Sequence, residues 1–303
     1  MSEPLISVVI PCYNSSRHLQ EAVRSVLDQS LQSFELLLCD DGSTDNTWEI
    51  ICELRKIDPR IVGMQNQCNS GISITRNRLN KAARGAFVAF LDCDDLMYPD
   101  RLQLQWEFLR DHPDIDIVGS MYQEFNSKRL TKKSHIQFTH KNIIKAFYYM
   151  CPVPNPTLMA RKNVFEKLHF NEELKSAEDL DFLLRANELG IKLANLPYVT
   201  TMYRIHENSI SSSKKFDMQI STYLALKWHY HRISKRVPRF PLSKEEINNK
   251  FNSSLYIKYS SARNLSISDQ LKCFIVAPFS QIGRFFLLRK LKKLFTIFPR
   301  FSF

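Results

Sequence analysis

Ala86-Phe87-Val88-Ala89-Phe90-Leu91-Asp92-Cys93-Asp94-Asp95 is an apolar run that stops at a cluster of acids. Six consecutive uncharged residues rich in Phe, Val and Leu predict a buried strand. A stretch of the same form lies upstream, where Phe34-Glu35-Leu36-Leu37-Leu38-Cys39 runs into Asp40-Asp41. Ligands of an open α/β sheet bind outside the carboxyl ends of its strands. Strands that close on carboxylates therefore deliver them to the binding edge. Acids gathered there repel one another unless a cation or a hydrogen-bond donor joins them. That arrangement suits a divalent metal on a diphosphate and the grip of a nucleoside, and it points to a nucleotide-dependent transferase.

The surrounding pattern supports an α/β sheet. Leu5-Ile6-Ser7-Val8-Val9-Ile10 reads as a strand ended by Pro11. Apolar residues at Leu19, Ala22, Val23, Val26 and Leu27 have helical spacing. Asp41-Gly42-Ser43-Thr44-Asp45 is turn chemistry, with Ser43 or Thr44 as a cap for a helix over 45–57. A strand is expected at 60–65, and a helix from Ser70-Gly71 to about residue 83. Such alternation implies a parallel sheet with right-handed crossovers. Pro99 suits the start of a helix running to about residue 110. Residues 115–138 look like irregular strands. Cys151-Pro152-Val153-Pro154-Asn155-Pro156 excludes helix and predicts an extended loop crossing a site. A helix over 177–189, ended by Gly190, precedes a strand at 198–205.

The 303 residues suggest two domains, or one large domain with an appendage, divided near residue 213 into a catalytic domain (1–213) and a basic, mainly helical extension (214–303). Residues 1–213 carry 24 Lys and Arg against 27 Asp and Glu, and residues 214–303 carry 18 against 4. The net charge of +11 thus resides in the last 90 residues, which suggests an anionic surface as their partner. Seven scattered cysteines without a CxxC pair, and an N-terminus without a basic segment, predict reducing cytoplasm and no signal peptide.

Six motifs occur in order. They are Ser7-Val8-Val9-Ile10-Pro11-Cys12-Tyr13-Asn14, Asp40-Asp41-Gly42-Ser43-Thr44-Asp45, Gly71 with Arg76-Asn77, Phe90-Leu91-Asp92-Cys93-Asp94-Asp95, Glu178-Asp179, and Tyr203-Arg204-Ile205-His206. Together they resemble the family 2 glycosyltransferases over the first 210 residues. The resemblance implies a GT-A nucleotide-diphospho-sugar transferase fold, a mostly parallel central sheet flanked by helices, here with a helical C-terminal extension. It also implies an inverting hexosyl- or related sugar transferase of the bacterial surface-polysaccharide type.

By that resemblance, Asp41 reads the nucleoside base. A carboxylate only accepts hydrogen bonds, which suits the N3–H of uracil or thymine, or guanine N–H groups, with a UDP-sugar favoured. Pro11, Tyr13 and Asn14 shape the strand exit near the nucleoside. Asp92-Cys93-Asp94 matches the DxD motif, with Asp94 as the metal ligand, Asp92 beside ribose or phosphate, and Mn2+ or Mg2+ as the cation. Arg76 lies near the nucleotide in relatives, or is an ordinary solvated arginine. Asp179 is the general base and Glu178 orients the site or binds acceptor, although both also complement a helix N-terminus. His206 approaches the metal or diphosphate, or is structural. Asp40, Ser43 and Asp45 suit turn hydrogen bonds, and Arg78, Lys81 and Arg84 a solvated helix face.

Residues 283–298 place Leu287, Leu288, Leu291, Leu294, Phe295 and Phe298 on one helical face and Arg289, Lys290, Lys292 and Lys293 largely on the other. This suits an anionic membrane interface, or packing on protein. A glycan or lipid-linked acceptor and a place on the inner face of the cell membrane are expected. A homo-oligomer stays open, and no nucleic acid is expected as partner. Two alternatives are a nucleic-acid-binding protein using the basic tail and a non-catalytic nucleotide-sugar binder. The acidic sheet edge opposes the first, and the presence of both Asp94 and Asp179 opposes the second.

Overall fold

The computed structural model describes residues 3–126, 129–134, 136–147, 150–174, 176–205 and 215–234. The expected boundary at residue 213, His206 and the 283–298 helix lie outside the described residues.

Strands β1 (Ile6–Cys12), β2 (Phe34–Asp40), β3 (Ile61–Gln65) and β4 (Phe87–Phe90) form the parallel part of the sheet. Helices α1 (Leu19–Leu27), α2 (Thr47–Ile57) and α3 (Ile72–Ala82) make the crossovers. β1, β2 and β4 are buried along their whole length, because helices cover both faces of the sheet. On one face Val8, Ile10, Leu36 and Ala89 pack with Leu19, Val23 and Val26 of α1 and Leu102 and Leu109 of α4 (Arg101–Asp111). Glu35 is an acid in the buried interior of β2. Its carboxylate accepts from the Ser7 hydroxyl at 2.6 Å and from the backbone and Nε of Arg84 at 2.7 and 2.8 Å. Arg84, read as part of a solvated face, therefore compensates a buried acid.

Beyond β4 the sheet becomes mixed. The remaining strands are β5 (Leu96–Met97), β6 (Ile117–Phe125), β7 (Leu130–Lys133), β8 (Met159–Arg161) and β9 (Leu193–Arg204). The order is β3-β2-β1-β4-β8-β6-β9-β5, with β7 on β6. β8 runs antiparallel to β4 and β6, whereas β6 and β9 are parallel. Two short helices, α5 (His140–Ala146) and α6 (Lys162–Lys167), precede α7 (Glu178–Glu188). Among the described residues the last helix, α8, covers Lys215–Ser234. Ser176 Oγ donates to Ser221 Oγ of α8 at 3.0 Å. Among the described residues no helix is long and apolar enough to cross a membrane.

Three local readings change. β1 continues through Pro11 to Cys12. The Val9 carbonyl accepts from Leu91 on the β4 side, and Pro11 faces that side where β4 has already ended. Its missing N–H therefore breaks no ladder bond. At the start of α2, Asp45 rather than Ser43 or Thr44 accepts the Thr47 N–H, at 3.1 Å. The Pro-rich loop carries one 3-10 turn at Asn155–Thr157.

Candidate active site

Both acid clusters emerge at the same edge of the sheet, since β1, β2 and β4 are parallel neighbours. The loops after β1 and β2 are fastened together there. Asn14, in the left-handed region at φ 48°, receives the Thr44 N–H on its side-chain oxygen at 2.8 Å. Its own N–H donates to Ser43 Oγ at 2.9 Å. Tyr13 beside it is 48% exposed, which presents an aromatic face at the strand exit.

Asp41 is buried, and its carboxylate is largely occupied by protein donors. Oδ1 accepts from Asn66 Nδ2 at 2.7 Å and from the Ser70 amide at 2.9 Å, and Oδ2 accepts from the Gly71 amide at 2.9 Å. Arg78 in turn donates to Asn66 Oδ1. A carboxylate has about four acceptor positions, so one remains for a ligand. Gly42 allows this loop to close: it has φ 68°, and an added Cβ would lie 2.5 Å from the Cys68 carbonyl carbon.

At the second cluster, Asp92 and Asp94 are half-buried and Asp95 is fully buried. Asp95 Oδ1 accepts the Arg204 amide at 2.8 Å, while Arg204 Nε donates to the Asp94 carbonyl at 2.7 Å. The end of β9 is thereby tied to the acid turn. Asp95 Oδ2 is buried without a hydrogen bond among the described residues. Burial, followed by the charges of Asp94 and Asp92, pushes Asp95 well above the usual carboxylate range. Beneath the turn, fully buried Arg101 donates to the carbonyls of Pro156 at 2.6 Å and Phe90 at 2.8 Å. One guanidinium thus links the end of β4 to the Pro-rich loop.

α7 brings the third group of acids. Phe182 stacks on Phe170 at 4.5 Å between ring centroids, and Phe170 meets Phe90 edge-on at 5.8 Å. This aromatic contact seats α7 against β4, the strand that leads into the Asp92 turn. Ala177, immediately before the helix, occupies the left-handed region at φ 54°. Such a conformation is uncommon for a residue with a Cβ and tends to accompany functional sites.

Arg76 is buried, which removes the solvated alternative. Its Nη1 donates to Glu178 Oε1, and its Nη2 lies 3.3 Å from Asp92 Oδ1. The guanidinium therefore bridges the acid turn after β4 to the first residue of α7. Asp92 is pushed up by burial and by Asp94 and Glu178, with Arg76 opposing. Burial and the Glu178 charge raise Asp179 to about 6, against the pull of Arg76. The Leu180 amide donates to Asp179 Oδ1 at 2.7 Å, and the Cys151 thiol approaches Oδ2 at 3.5 Å.

Among the described residues no three His, Cys, Asp or Glu side chains gather into a metal site made of protein alone. Asp92 and Asp94 nevertheless fit a hard divalent cation. Mg2+ sites commonly combine one or two carboxylates with substrate phosphates and water. The structure brings Asp92, Glu178, Asp179 and Arg76 into one constellation and sets Asp94 beside it. Asp41, Tyr13 and Asn14 lie at the neighbouring strand exits. Sequence reasoning missed Asn66, Arg101, Cys151 and Arg204 as supports. Their signal was weak, since each acts on a group distant in sequence.

The family model described as glycosyl transferase family 2 matches residues 7–168. An uncharacterized glycosyltransferase of Methanocaldococcus jannaschii is 30% identical over 236 residues, which cover 76% of this chain and 81% of that protein. WfaP of Escherichia coli, named a UDP-Glc:alpha-D-GlcNAc-diphosphoundecaprenol beta-1,3-glucosyltransferase, is 29% identical across 69% of this chain and 81% of its own. The solved structure of S. aureus TarS 1-349 in complex with UDP-GlcNAc superposes with a TM-score of 0.63 at 23% identity, covering 92% of this chain and 81% of that one. That likeness is one of fold, and the fold is GT-A. With its strand-end acids in place and a family match across more than half its length, the chain belongs to glycosyl transferase family 2 and is a glycosyltransferase.

Proposed function

We propose that this enzyme transfers a sugar from a UDP-sugar to an acceptor hydroxyl with inversion, in the synthesis of cell-surface polysaccharide or of a lipid-linked glycan. The observation that carries the reading is the buried bridge Asp92–Arg76–Glu178, which sets the acid turn beside Asp179. One cluster serves the leaving diphosphate and the other the attacking hydroxyl, so donor and acceptor meet in a single cleft.

In the reaction the acceptor oxygen forms a bond to the anomeric carbon from the face opposite the diphosphate. The bond from that carbon to the phosphate oxygen breaks, and its electron pair leaves with the nucleotide. The hydroxyl proton passes to Asp179. A base raised to about 6 is ionised at neutral pH yet basic enough to take that proton. Glu178 holds Arg76 and orients the helix start. Asp94 is the metal ligand, with Asp92 beside ribose or phosphate. A bound Mn2+ or Mg2+ supplies positive charge to the departing diphosphate. Asp41 offers its remaining acceptor position to the uracil N3–H, and Tyr13 offers its ring to the nucleoside. The UDP-Glc donor in the name of WfaP supports a UDP-sugar.

The basic 283–298 sequence, together with the lipid-linked acceptor named for WfaP, supports work at the inner face of the cell membrane. The test is UDP release from UDP-glucose and UDP-GlcNAc with Mn2+, using GlcNAc-diphosphoundecaprenol as acceptor. Release should require the acceptor and fall by about 10²–10⁴-fold in Asp179→Asn. Release at the wild-type rate in that variant overturns the assignment of the base.

A further inference from the structure

Cys151 opens the Pro-rich loop and has a thiol within reach of two acceptors. Its Sγ lies 3.5 Å from the Val153 carbonyl and 3.5 Å from Asp179 Oδ2. A thiol carries one proton, so it serves one of them at a time. The loop holding it is firmly placed: Asn195 Nδ2 donates to the Pro152 carbonyl at 2.9 Å, Val153 is fully buried, and Arg101 grips the Pro156 carbonyl. The two oxygens of Asp179 are therefore unlike. Oδ1 accepts a backbone amide at 2.7 Å, whereas Oδ2 faces a weak S–H donor.

We infer that Cys151 is a positioning residue for Asp179, holding Oδ2 as the oxygen that receives the acceptor's proton. The inference rests on the proposed role of Asp179 as base. Oδ1, bound to the amide, is the poorer base of the pair, because a hydrogen bond to the charged form stabilises that form. The thiol orients Oδ2 while withdrawing little of its basicity. When Oδ2 takes the proton, the S–H turns to the Val153 carbonyl, and no two donors are forced together. Among the described residues, the charged and titratable groups facing Asp179 are Glu178 on its own helix, Arg76 from α3 and Cys151 from the loop. Burial and the Asp179 charge hold the thiol well above its ordinary range, so it stays a donor through neutral pH.

Two measurements on the full chain test this. The first is the pH dependence of Cys151 alkylation by iodoacetamide, followed by peptide mass spectrometry. In Asp179→Asn the thiol loses the neighbouring charge, and its alkylation profile should move down by about one pH unit, roughly tenfold in thiolate at a given pH. An unmoved profile overturns the contact. The second is the acid limb of kcat/KM for UDP release. Cys151→Ala removes a donor to the charged base and should move the limb to higher pH. Cys151→Ser supplies a stronger donor and should move it to lower pH. Shifts in the same direction, or none, overturn the positioning role. If Asp179→Asn transfers sugar at the wild-type rate, the base assignment fails. If that variant is inactive while neither thiol readout moves, only the Cys151 inference fails.

Discussion

Arg76 and Glu178 stand 102 residues apart in sequence and meet as a buried ion pair. The same guanidinium reaches Asp92, so α3 joins the acid turn to the helix that carries Asp179. Removing one partner of a buried pair leaves an uncompensated charge and costs about 3–5 kcal/mol. Arg76→Ala should therefore destabilise the fold by that amount in urea unfolding. Arg76→Met combined with Glu178→Leu should recover most of the loss without recovering activity. A cost below about 1 kcal/mol for Arg76→Ala would show that the bridge is not formed in solution.

Asp179 supplies a dependence on pH of both rate and stability. Its folded value of about 6 lies above the ordinary carboxylate value of 3.8. The folded state therefore holds the proton more tightly than the unfolded chain. Its contribution to stability is complete below about pH 4 and is lost as pH rises through about 6. Asp179→Asn should stabilise the protein at pH 8 relative to wild type by up to about 3 kcal/mol, seen as a higher melting temperature, while lowering transfer by about 10²–10⁴-fold. At pH 4 the two proteins should melt together. In the wild type, kcat/KM should rise through pH 6 as the base ionises. A melting difference that is the same at both pH values would contradict the raised value.

Two glycines at the nucleotide edge should respond differently to alanine. Both have positive φ, 68° at Gly42 and 96° at Gly71. An added Cβ at Gly42 would press on the backbone of Cys68 and Asn69, whereas none of the described atoms lies within 4 Å of one at Gly71. Gly71→Ala should cost about 1–3 kcal/mol, for backbone strain alone, because φ 96° with ψ 156° is open essentially to glycine only. Gly42→Ala should cost more than Gly71→Ala and weaken nucleotide binding, because overpacking of about 1–3 kcal/mol adds to its strain and the Cys68–Asn69 backbone cannot give way as a flexible side chain would. Equal costs in denaturant titrations would contradict the close approach.

The parallel part of the sheet was legible because its signals are local. Phe34 to Asp40 and Phe87 to Phe90 each announce a buried strand, and the acids that follow announce the edge. Pro11 was misread because its tolerance depends on where a neighbouring strand stops, which no window around residue 11 contains. Neither Ser43 nor Thr44 caps α2, because both are engaged by Asn14, about 30 residues away, and Asp45, just before the Asn46 cap position, accepts the Thr47 amide instead. The mixed part of the sheet was less visible, since β6 pairs in parallel with β9 across a long intervening segment. The motif acids of the candidate site could be named one by one from the sequence. Their couplings, Arg76 to Glu178, Cys151 to Asp179 and Arg204 to Asp95, could not, because each is a tertiary contact between distant residues.

The most direct test of the central claim is calorimetric titration of UDP, GDP, dTDP and CDP into the protein, with Mn2+ and then with EDTA. UDP should bind most tightly, should require the metal, and should lose its metal-dependent affinity in Asp94→Ala. Absence of metal-dependent binding by any of the four nucleotides would contradict the proposed donor site at Asp41, Asp92 and Asp94.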